Sequence, residues 1–496
     1  MSSRKNLERF LLLLALCELM LSTFAVNETE AGFLGRLSLS TAEEYSDNIL
    51  FSEKKEGDFV TIVTPTLSFA YKPPWQAFPS LTASLSTSAE FFAQHSDLNN
   101  FGDNVRANIN YFYPYSPRLD FTLTDNLERQ GQSRLDNSGG FTGGSNIRGG
   151  GLRGGSGLSG IGGLSGLGDL GGIGVSGSTS CRGSDVSRGS GSISSSLSQE
   201  DLLASGELLE NQFSVNGNFR YTPKLTFRGG YCWDYTAFID EGGQETVHSL
   251  NIEANYPWSP QTQLHARYTP SLIRSRDGHY NLVHDFDLGG NFLGMREIHF
   301  TLTPTLTVYA STGISVLTGT RSGNSNSGSD KIHLENKLDA NITKIWETAS
   351  FTAGVQRGIT SSLGVSGPSY TTSFFGYFTV NLTPRLIGGA GAGYSLYDTG
   401  DTKFKTLQTV IGLRYPLTNA ISIGLGYSYN QVNPGSGAAN NAVLAQGKTD
   451  SNTAFVFFSM MFDIWPNVGL ARGLGSPLAG AGLVPSSSRS VHPRTP

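Results

Sequence analysis

Short proline turns recur along this chain, each joining two long stretches in which polar and apolar residues alternate, and that pairing leaves few folds open. The turns are Tyr71-Lys72-Pro73-Pro74, Tyr113-Pro114-Tyr115-Ser116-Pro117, Tyr221-Thr222-Pro223-Lys224, Tyr256-Pro257-Trp258-Ser259-Pro260, Thr303-Pro304-Thr305, Leu382-Thr383-Pro384-Arg385 and Tyr415-Pro416-Leu417-Thr418. Around Lys344-Ile345-Trp346 the proline is missing and the aromatic stays. Proline fixes φ and donates no N–H to a ladder, so it belongs in turns and at strand ends. Most turn-to-turn spacings are about 35–45 residues, which fits two strands of about 12, one tight turn and one longer loop.

The alternation has period two, the strand period. Val105, Ala107, Ile109, Tyr111 and Tyr113 share one face while Asn104, Arg106, Asn108 and Asn110 share the other. Ile332, Leu334, Leu338, Ala340 and Ile342 oppose Lys331, His333, Glu335, Lys337, Asp339 and Asn341. A soluble sandwich alternates too. Strands this long exceed the soluble mode of about five or six residues, and about 9–11 tilted residues cross a bilayer. Aromatics also gather at the turn ends (Tyr71, Tyr113, Tyr221, Tyr256, Trp258, Trp346, Tyr415), as an interfacial girdle requires.

These patterns predict an all-β chain forming one transmembrane antiparallel barrel of about 18 strands, with 16 as the alternative if 280–318 or the first pair is misread. Short turns face the periplasm in such barrels and longer loops face outward. Charged residues are 15 % of the chain and mean hydropathy is −0.18. A helical membrane protein reads far more apolar, whereas a barrel's alternating faces cancel in an average. A soluble β-propeller shares the period but needs four short strands per repeat.

The N-terminus predicts a secretory signal over 1–25. Arg4, Lys5 and Arg9 precede an apolar run from Leu11, and Thr23 and Ala25 are small residues suited to cleavage after Ala25. An uncleaved anchor is the alternative. The barrel is expected over 26–463, with a Gly/Ser-rich outside loop over 130–206 and a disordered periplasmic tail over 464–496. The loop carries Leu158, Ile161, Leu164, Leu167, Leu170 and Ile173 about every three residues. It reads as a flexible insert, as a segment folded inward over the pore, or as an adhesive surface loop.

A net charge of −5 offers no basic footprint for nucleic acid. Three cysteines cannot make a disulfide framework, and Cys17, Cys181 and Cys232 read as spare thiols. No catalytic or zinc-binding constellation appears: the histidines are dispersed, and the paired carboxylates (Asp285 with Asp287, Asp47 near Glu43 and Glu44) read as solvated charges. No cofactor and no enzymatic activity are therefore expected. By strand parity the inward face should carry Glu90, Arg106, Asp120, Arg220, Arg228, Asp234, Glu253, Arg267, Asp285, Asp287, Lys331, Glu335, Lys337, Asp339 and Arg414. These could line a pore as a polar constriction, or stiffen the wall as cross-strand ion pairs.

The segment Glu44-Tyr45-Ser46-Asp47-Asn48-Ile49-Leu50-Phe51, followed by Asp58-Phe59 and Val63-Thr64-Pro65-Thr66-Leu67-Ser68, resembles the opening of the β-barrel porin type 2 family of outer-membrane proteins. The later Tyr-Thr-Pro-Lys-Leu and Leu-Thr-Pro-Arg-Leu turns are similar to that family as well, and the likeness spans most of 33–463. The resemblance implies an outer-membrane barrel, a link to exopolysaccharide gene clusters, and no catalytic residues. The expectation is a channel for hydrophilic solutes or an exported polysaccharide, with outer-membrane lipid and the barrel-assembly machinery as partners. The alternative is a closed structural or adhesive barrel that displays the Gly/Ser-rich loop.

Overall fold

The computed structural model describes residues 32–49, 55–72, 79–130, 208–239, 242–259, 262–275, 278, 280–294, 305–319, 331–346, 348–361, 368–398, 403–418, 420–435 and 448–465. Among them run eighteen strands: β1 (Gly32–Ser46), β2 (Asp58–Lys72), β3 (Ser80–Phe92), β4 (Asn100–Ser116), β5 (Leu119–Gln130), β6 (Leu208–Arg220), β7 (Thr226–Phe238), β8 (Gln244–Ser259), β9 (Thr262–Arg274), β10 (Tyr280–Gly294), β11 (Thr305–Gly319), β12 (Lys331–Ile345), β13 (Ala349–Ser361), β14 (Pro368–Asn381), β15 (Ile387–Asp398), β16 (Lys403–Pro416), β17 (Ile421–Pro434) and β18 (Thr449–Trp465). Each pairs antiparallel with its neighbours in sequence, and β1 pairs with β18, closing the sheet into a barrel. Closure removes both sheet edges, so backbone donors and acceptors are satisfied between strands.

Eighteen strands is the larger of the two expected counts, and the 280–318 region resolves into β10 and β11. The expected signal over 1–25, the insert beyond Gln130 up to 207, and the tail from 466 onward lie outside the described residues. Among the described residues no helix is long and apolar enough to cross a membrane.

The two faces of the sheet differ as period-two alternation demands. Leu334 (68 % exposed), Leu338 and Ile342 of β12 stand outward, while Lys337, Asp339 and Asn341 are buried on the other face. The same split runs through β7, where Tyr231 is exposed and Cys232, Asp234 and Thr236 are buried. The outward side chains are apolar and exposed to whatever surrounds the barrel, and the polar side chains face inward. In water this arrangement would expose an apolar patch far larger than a soluble monomer tolerates; in hydrocarbon it is the stable one.

At the turn ends of the strands the outward face becomes aromatic. Tyr113 lies beside Tyr115 with ring centroids 6.4 Å apart, Phe219 beside Tyr221 at 6.4 Å, and Tyr256 beside Trp258 at 6.5 Å. Trp258 is 70 % exposed. Lys344 Nζ sits 4.9 Å from the Trp346 ring centroid, a cation–π geometry.

The turns are closed by hydroxyls as well as shaped by proline. Thr222 Oγ1 accepts the N–H groups of Lys224 (3.2 Å) and Leu225 (2.8 Å). Thr383 does the same for Arg385 (3.3 Å) and Leu386 (2.9 Å), and Thr418 for Ala420 (3.2 Å) and Ile421 (3.0 Å). Ser116 holds Arg118 (3.3 Å) and Leu119 (3.0 Å) in the same way. In each case a hydroxyl occupies N–H groups that the tight reversal leaves without a ladder partner.

Candidate functional site: the barrel interior

The inward charges assemble by register. One row of directly opposed residues crosses eight consecutive strands: Asp120 of β5, Asn218 of β6, Arg228 of β7, Glu253 of β8, Arg267 of β9, Asp287 of β10, Gly313 of β11 and Lys337 of β12. The charges along it alternate in sign. A period of two places each side chain inward, and the antiparallel register brings them level.

The row is hydrogen-bonded in two stretches, from Asp120 to Arg228 and from Arg267 to Lys337. Asn218 Nδ2 donates to Asp120 (2.7 Å), and Arg228 Nε donates to Asn218 Oδ1 (2.7 Å). Arg267 gives both Nε and an Nη to Asp287 Oδ2 at 2.9 Å. Lys337 Nζ reaches Asp287 Oδ2 at 3.1 Å and Asp285 Oδ2 at 3.3 Å, and Ser315 donates to Asp285 at 2.5 Å. Lys337 can reach Asp287 because the strand between them carries glycine. A Cβ on Gly313 would meet the Phe286 carbonyl oxygen and lie 2.9 Å from Asp287 Oδ1. All four charged partners, Arg267, Asp285, Asp287 and Lys337, are buried, so each charge is offset by an opposite one rather than by bulk water.

The other expected inward residues fall around this belt. Arg106 is on the inward face of β4 and pairs with Glu128 at 2.7 Å. Glu90 accepts from Asn104 Nδ2 at 3.1 Å. Asp234 and Asp339 are buried on the inward faces of β7 and β12. Arg220 sits at the exposed turn end of β6, two residues beyond Asn218 of the belt. Glu335 lies at the outer end of β12 and accepts from Arg357 at 3.1 Å. Lys331 shares its strand parity, and its side chain lies outside the described residues. Arg414 of β16 is half-buried, and its Nε has no hydrogen-bond partner among the described residues.

Inward aromatics are a component that parity alone did not bring out. Tyr309 stacks on His265 at 5.6 Å, and Tyr397 stacks on Phe404 at 4.5 Å. Phe455 and Phe457 of β18 lie over Gly426 and Gly424 of β17, their register partners. A Cβ on either glycine would run into the ring, so glycine here makes room for an aromatic laid flat on the neighbouring strand. Two apolar clusters result. One contains Val60, Ile62, Phe92, Phe455 and Phe457. The other contains Cys232, Val247, Ile273, Val283, Leu317 and Ile359. Cys232 is disulfide-bonded, which corrects its reading as a spare thiol.

The acidic segment after β1 proves to be a clasp across the β1–β18 seam. Asp47 accepts from the Asn452 backbone N–H (2.7 Å), from Asn452 Nδ2 (2.8 Å) and from Lys55 Nζ (3.2 Å). Asn48 Nδ2 donates to the Asp450 carbonyl (2.8 Å), and Lys55 also meets the Asp450 carboxylate at 2.6 Å. Partial burial opposes the charge on Asp47, but the Asn452 and Lys55 donors outweigh it and hold its carboxyl below the ordinary aspartate range. A second clasp joins β2 to the end of β3. The buried Asp58 accepts from the N–H groups of Gln94 (3.0 Å) and His95 (2.9 Å) and from His95 Nδ1 (3.0 Å), with Glu56 3.4 Å from His95 Nε2. The Asp58 hydrogen bond raises the His95 pKa; desolvation opposes it, and the charges of Asp58 and Glu56 add to the rise.

No protein-family model and no curated protein sequence matches this chain. Among solved structures it is similar to OccAB2 of Acinetobacter baumannii, at 8 % identity and TM-score 0.43, covering 87 % of this chain and 98 % of that one. It is also similar to OpdK of Pseudomonas aeruginosa, determined with vanillate, at 12 % identity and TM-score 0.42, covering 88 % and 100 %. A third is OccK2 (OpdF) of Pseudomonas aeruginosa, at 9 % identity and TM-score 0.42, covering 87 % and 99 %. At these values no activity passes from those proteins to this one.

Proposed function

We propose that this chain is a bacterial outer-membrane channel that passes hydrophilic solutes. The carrying observation is the two-faced closed barrel: an apolar outward face with aromatic turn ends, around an inward face whose belt alternates in charge. The outward face suits hydrocarbon, and the aromatic ends suit a headgroup layer. Because the belt's charges are paired with opposite neighbours, it favours neither cations nor anions strongly, as befits neutral, hydroxyl-rich solutes. An exported polysaccharide is the finer reading, which draws on the family resemblance of the opening segment. The barrel-assembly machinery would insert the protein, and the inward charges named above would line the path. No residue set in this reading performs covalent chemistry.

Single-channel recording of the refolded protein in a planar bilayer tests the reading, with and without residues 139–191. Steady, weakly selective conductance from the full chain is the expected result; silence from both forms would overturn it. The second reading, a closed structural barrel, is favoured by the two apolar clusters on the inward face, and silence from both forms is what it predicts.

A further inference from the structure

β12 and β13 pair over only part of their length. Their register runs from Ile345 with Ser350 to Leu338 with Arg357 and stops there. On their other sides β12 stays paired with β11 as far as Lys331, and β13 with β14 as far as Ser361. Toward the loops from Leu338 and Arg357 the wall is therefore stepped. Glu335 has the inward parity of Lys337 and Asp339, yet it accepts at 3.1 Å from Arg357, which has the outward parity of the exposed Phe351. Ile359, of the same parity as Arg357, is buried in the cluster that holds the inward Leu317. Both contacts require the loop end of β13 to lie on the lumen side of β12. The step leaves a notch of about 320 Å³ at the loop ends of β13–β16.

The notch sits at a sharp change on the outward face. Val355, Phe374, Tyr394 and Leu407 form one register row across β13–β16, with Phe374 and Tyr394 exposed. The next outward row toward the loops is Arg357, Thr372, Leu396 and Lys405, and the row after it brings Tyr370, Asp398 and Lys403. The face thus turns from apolar to charged within about 7 Å along each strand. Three exposed cations meet two carboxylates there. Lys403 Nζ lies 2.8 Å from Asp398, Arg357 holds Glu335, and Lys405 has no ion-pair partner among the described residues. The seam between β18 and β1 is of the opposite sign, with Asp47 and Asp450 sharing Lys55.

We propose that this notch binds the phosphorylated headgroup of a glycolipid in the outer leaflet. The longer loops of such barrels face outward, which puts the charged rows at the outer interface. Cations just beyond the hydrocarbon attract anionic headgroups, and Arg and Lys donors suit phosphate oxygens. The facing edges of β12 and β13 have no strand partner at this level. Hydrocarbon offers a backbone edge no hydrogen bonds, whereas phosphate and sugar hydroxyls do. The apolar row beneath, with Phe374 and Tyr394, receives the acyl chains of the same lipid. The inference rests on the outer-membrane part of the proposed function and not on conduction.

The test is native mass spectrometry of the protein folded in detergent micelles. The probes are bis-phosphorylated lipid A, the same lipid stripped of its phosphates, and inorganic phosphate as a competitor. The expected result is one retained lipid A per barrel, with the stripped lipid bound about tenfold or more weakly. Joint Arg357→Gln, Lys403→Gln and Lys405→Gln substitution should cause the same loss. Lys405→Gln alone has no ion pair to break, so it keeps the test open if the triple variant does not fold; it should weaken binding about fivefold, and Lys405→Arg should not. Arg274→Gln removes a cation from β9, where Arg274 lies 5.8 Å from the Tyr280 ring centroid, and should bind as the wild type does. Equal binding of the two lipids, or no loss in the Lys405→Gln and triple variants, would overturn the proposal. Complete displacement by inorganic phosphate would replace the lipid with a free anion and overturn it as well. Heat-modifiable gel mobility separates the two kinds of failure. A wild type without it sinks the outer-membrane reading and the site together, whereas a heat-modifiable wild type indifferent to the phosphates sinks the site alone.

Discussion

Two arcs of the same barrel solve the problem of filling an interior in opposite ways. From β5 to β12 the inward face carries charge on nearly every strand, and opposed register turns the charges into a continuous alternating belt. From β13 to β18 the inward face is built largely from Gly, Ser and Thr with flat-lying aromatics, and charge is sparse, with Arg414 half-buried on β16. In the first arc, breaking one ion pair strands its partner. The second is close-packed because glycine lets rings lie against backbone. The difference teaches that a polar interior is not one material: one arc is built from paired charge, and the other from small residues under aromatics.

The sharpest way to break this comparison is to remove a charge from each arc. Lys337→Met leaves Asp285 and Asp287 short of a cation and should cost roughly 3–5 kcal/mol, read by denaturant unfolding in detergent micelles. Arg414→Met should cost about 1 kcal/mol or less, since its Nε has no hydrogen-bond partner among the described residues. Equal losses would erase the distinction between the arcs.

On the packed arc, Gly424→Ala should cost about 1–3 kcal/mol, because its methyl would fall on the Phe457 ring. Gly229→Ala, on the charged arc with nothing within 4 Å of the added methyl, should be close to neutral in the same assay. The turns belong to both arcs, and there the effect should be common. Thr222→Val and Thr383→Val should each cost roughly 0.5–1.5 kcal/mol, since each removes the acceptor for two N–H groups.

The smallest effect is in pH. Because the His95 pKa is raised above its ordinary 6.5, its contribution to the β2–β3 clasp is complete below that value. It is lost as pH rises through the raised pKa. Amide exchange at Gln94 and His95 should therefore quicken above neutrality beyond its intrinsic pH dependence, and His95→Gln should remove that excess. Asp47 works the other way: its lowered pKa makes the seam clasp fully effective above the ordinary 3.8, and it fails as pH falls through the lowered value.

Period two made the strands, the faces and the inward charges legible, because parity needs no partner strand. What depends on register was not legible. Asp120, Arg228, Glu253, Arg267, Asp287 and Lys337 are scattered over more than two hundred positions, and only pairing aligns them. The hydroxyl-closed turns carried a signal, since Thr precedes Pro at 222 and 383, but proline's stronger rule hid it. Asp47, like Glu43 and Glu44 before it, read as solvated charge. The seam clasp that Asp47 forms needs Asn452, more than four hundred residues away. Inward aromatics such as Phe455 and Phe457 were invisible because an apolar residue on a polar face looks like an error until its glycine neighbour is known.

The most direct test of the membrane-spanning barrel places a fluorescent thiol probe at Leu338→Cys or at Asn341→Cys in a variant lacking the native cysteines, reconstituted into vesicles containing brominated lipid. Leu338 stands outward on β12 and Asn341 inward. Strong quenching at 338 with little at 341 is the predicted result. Equal quenching at the two positions, or none at 338, would contradict a barrel with its apolar face in lipid.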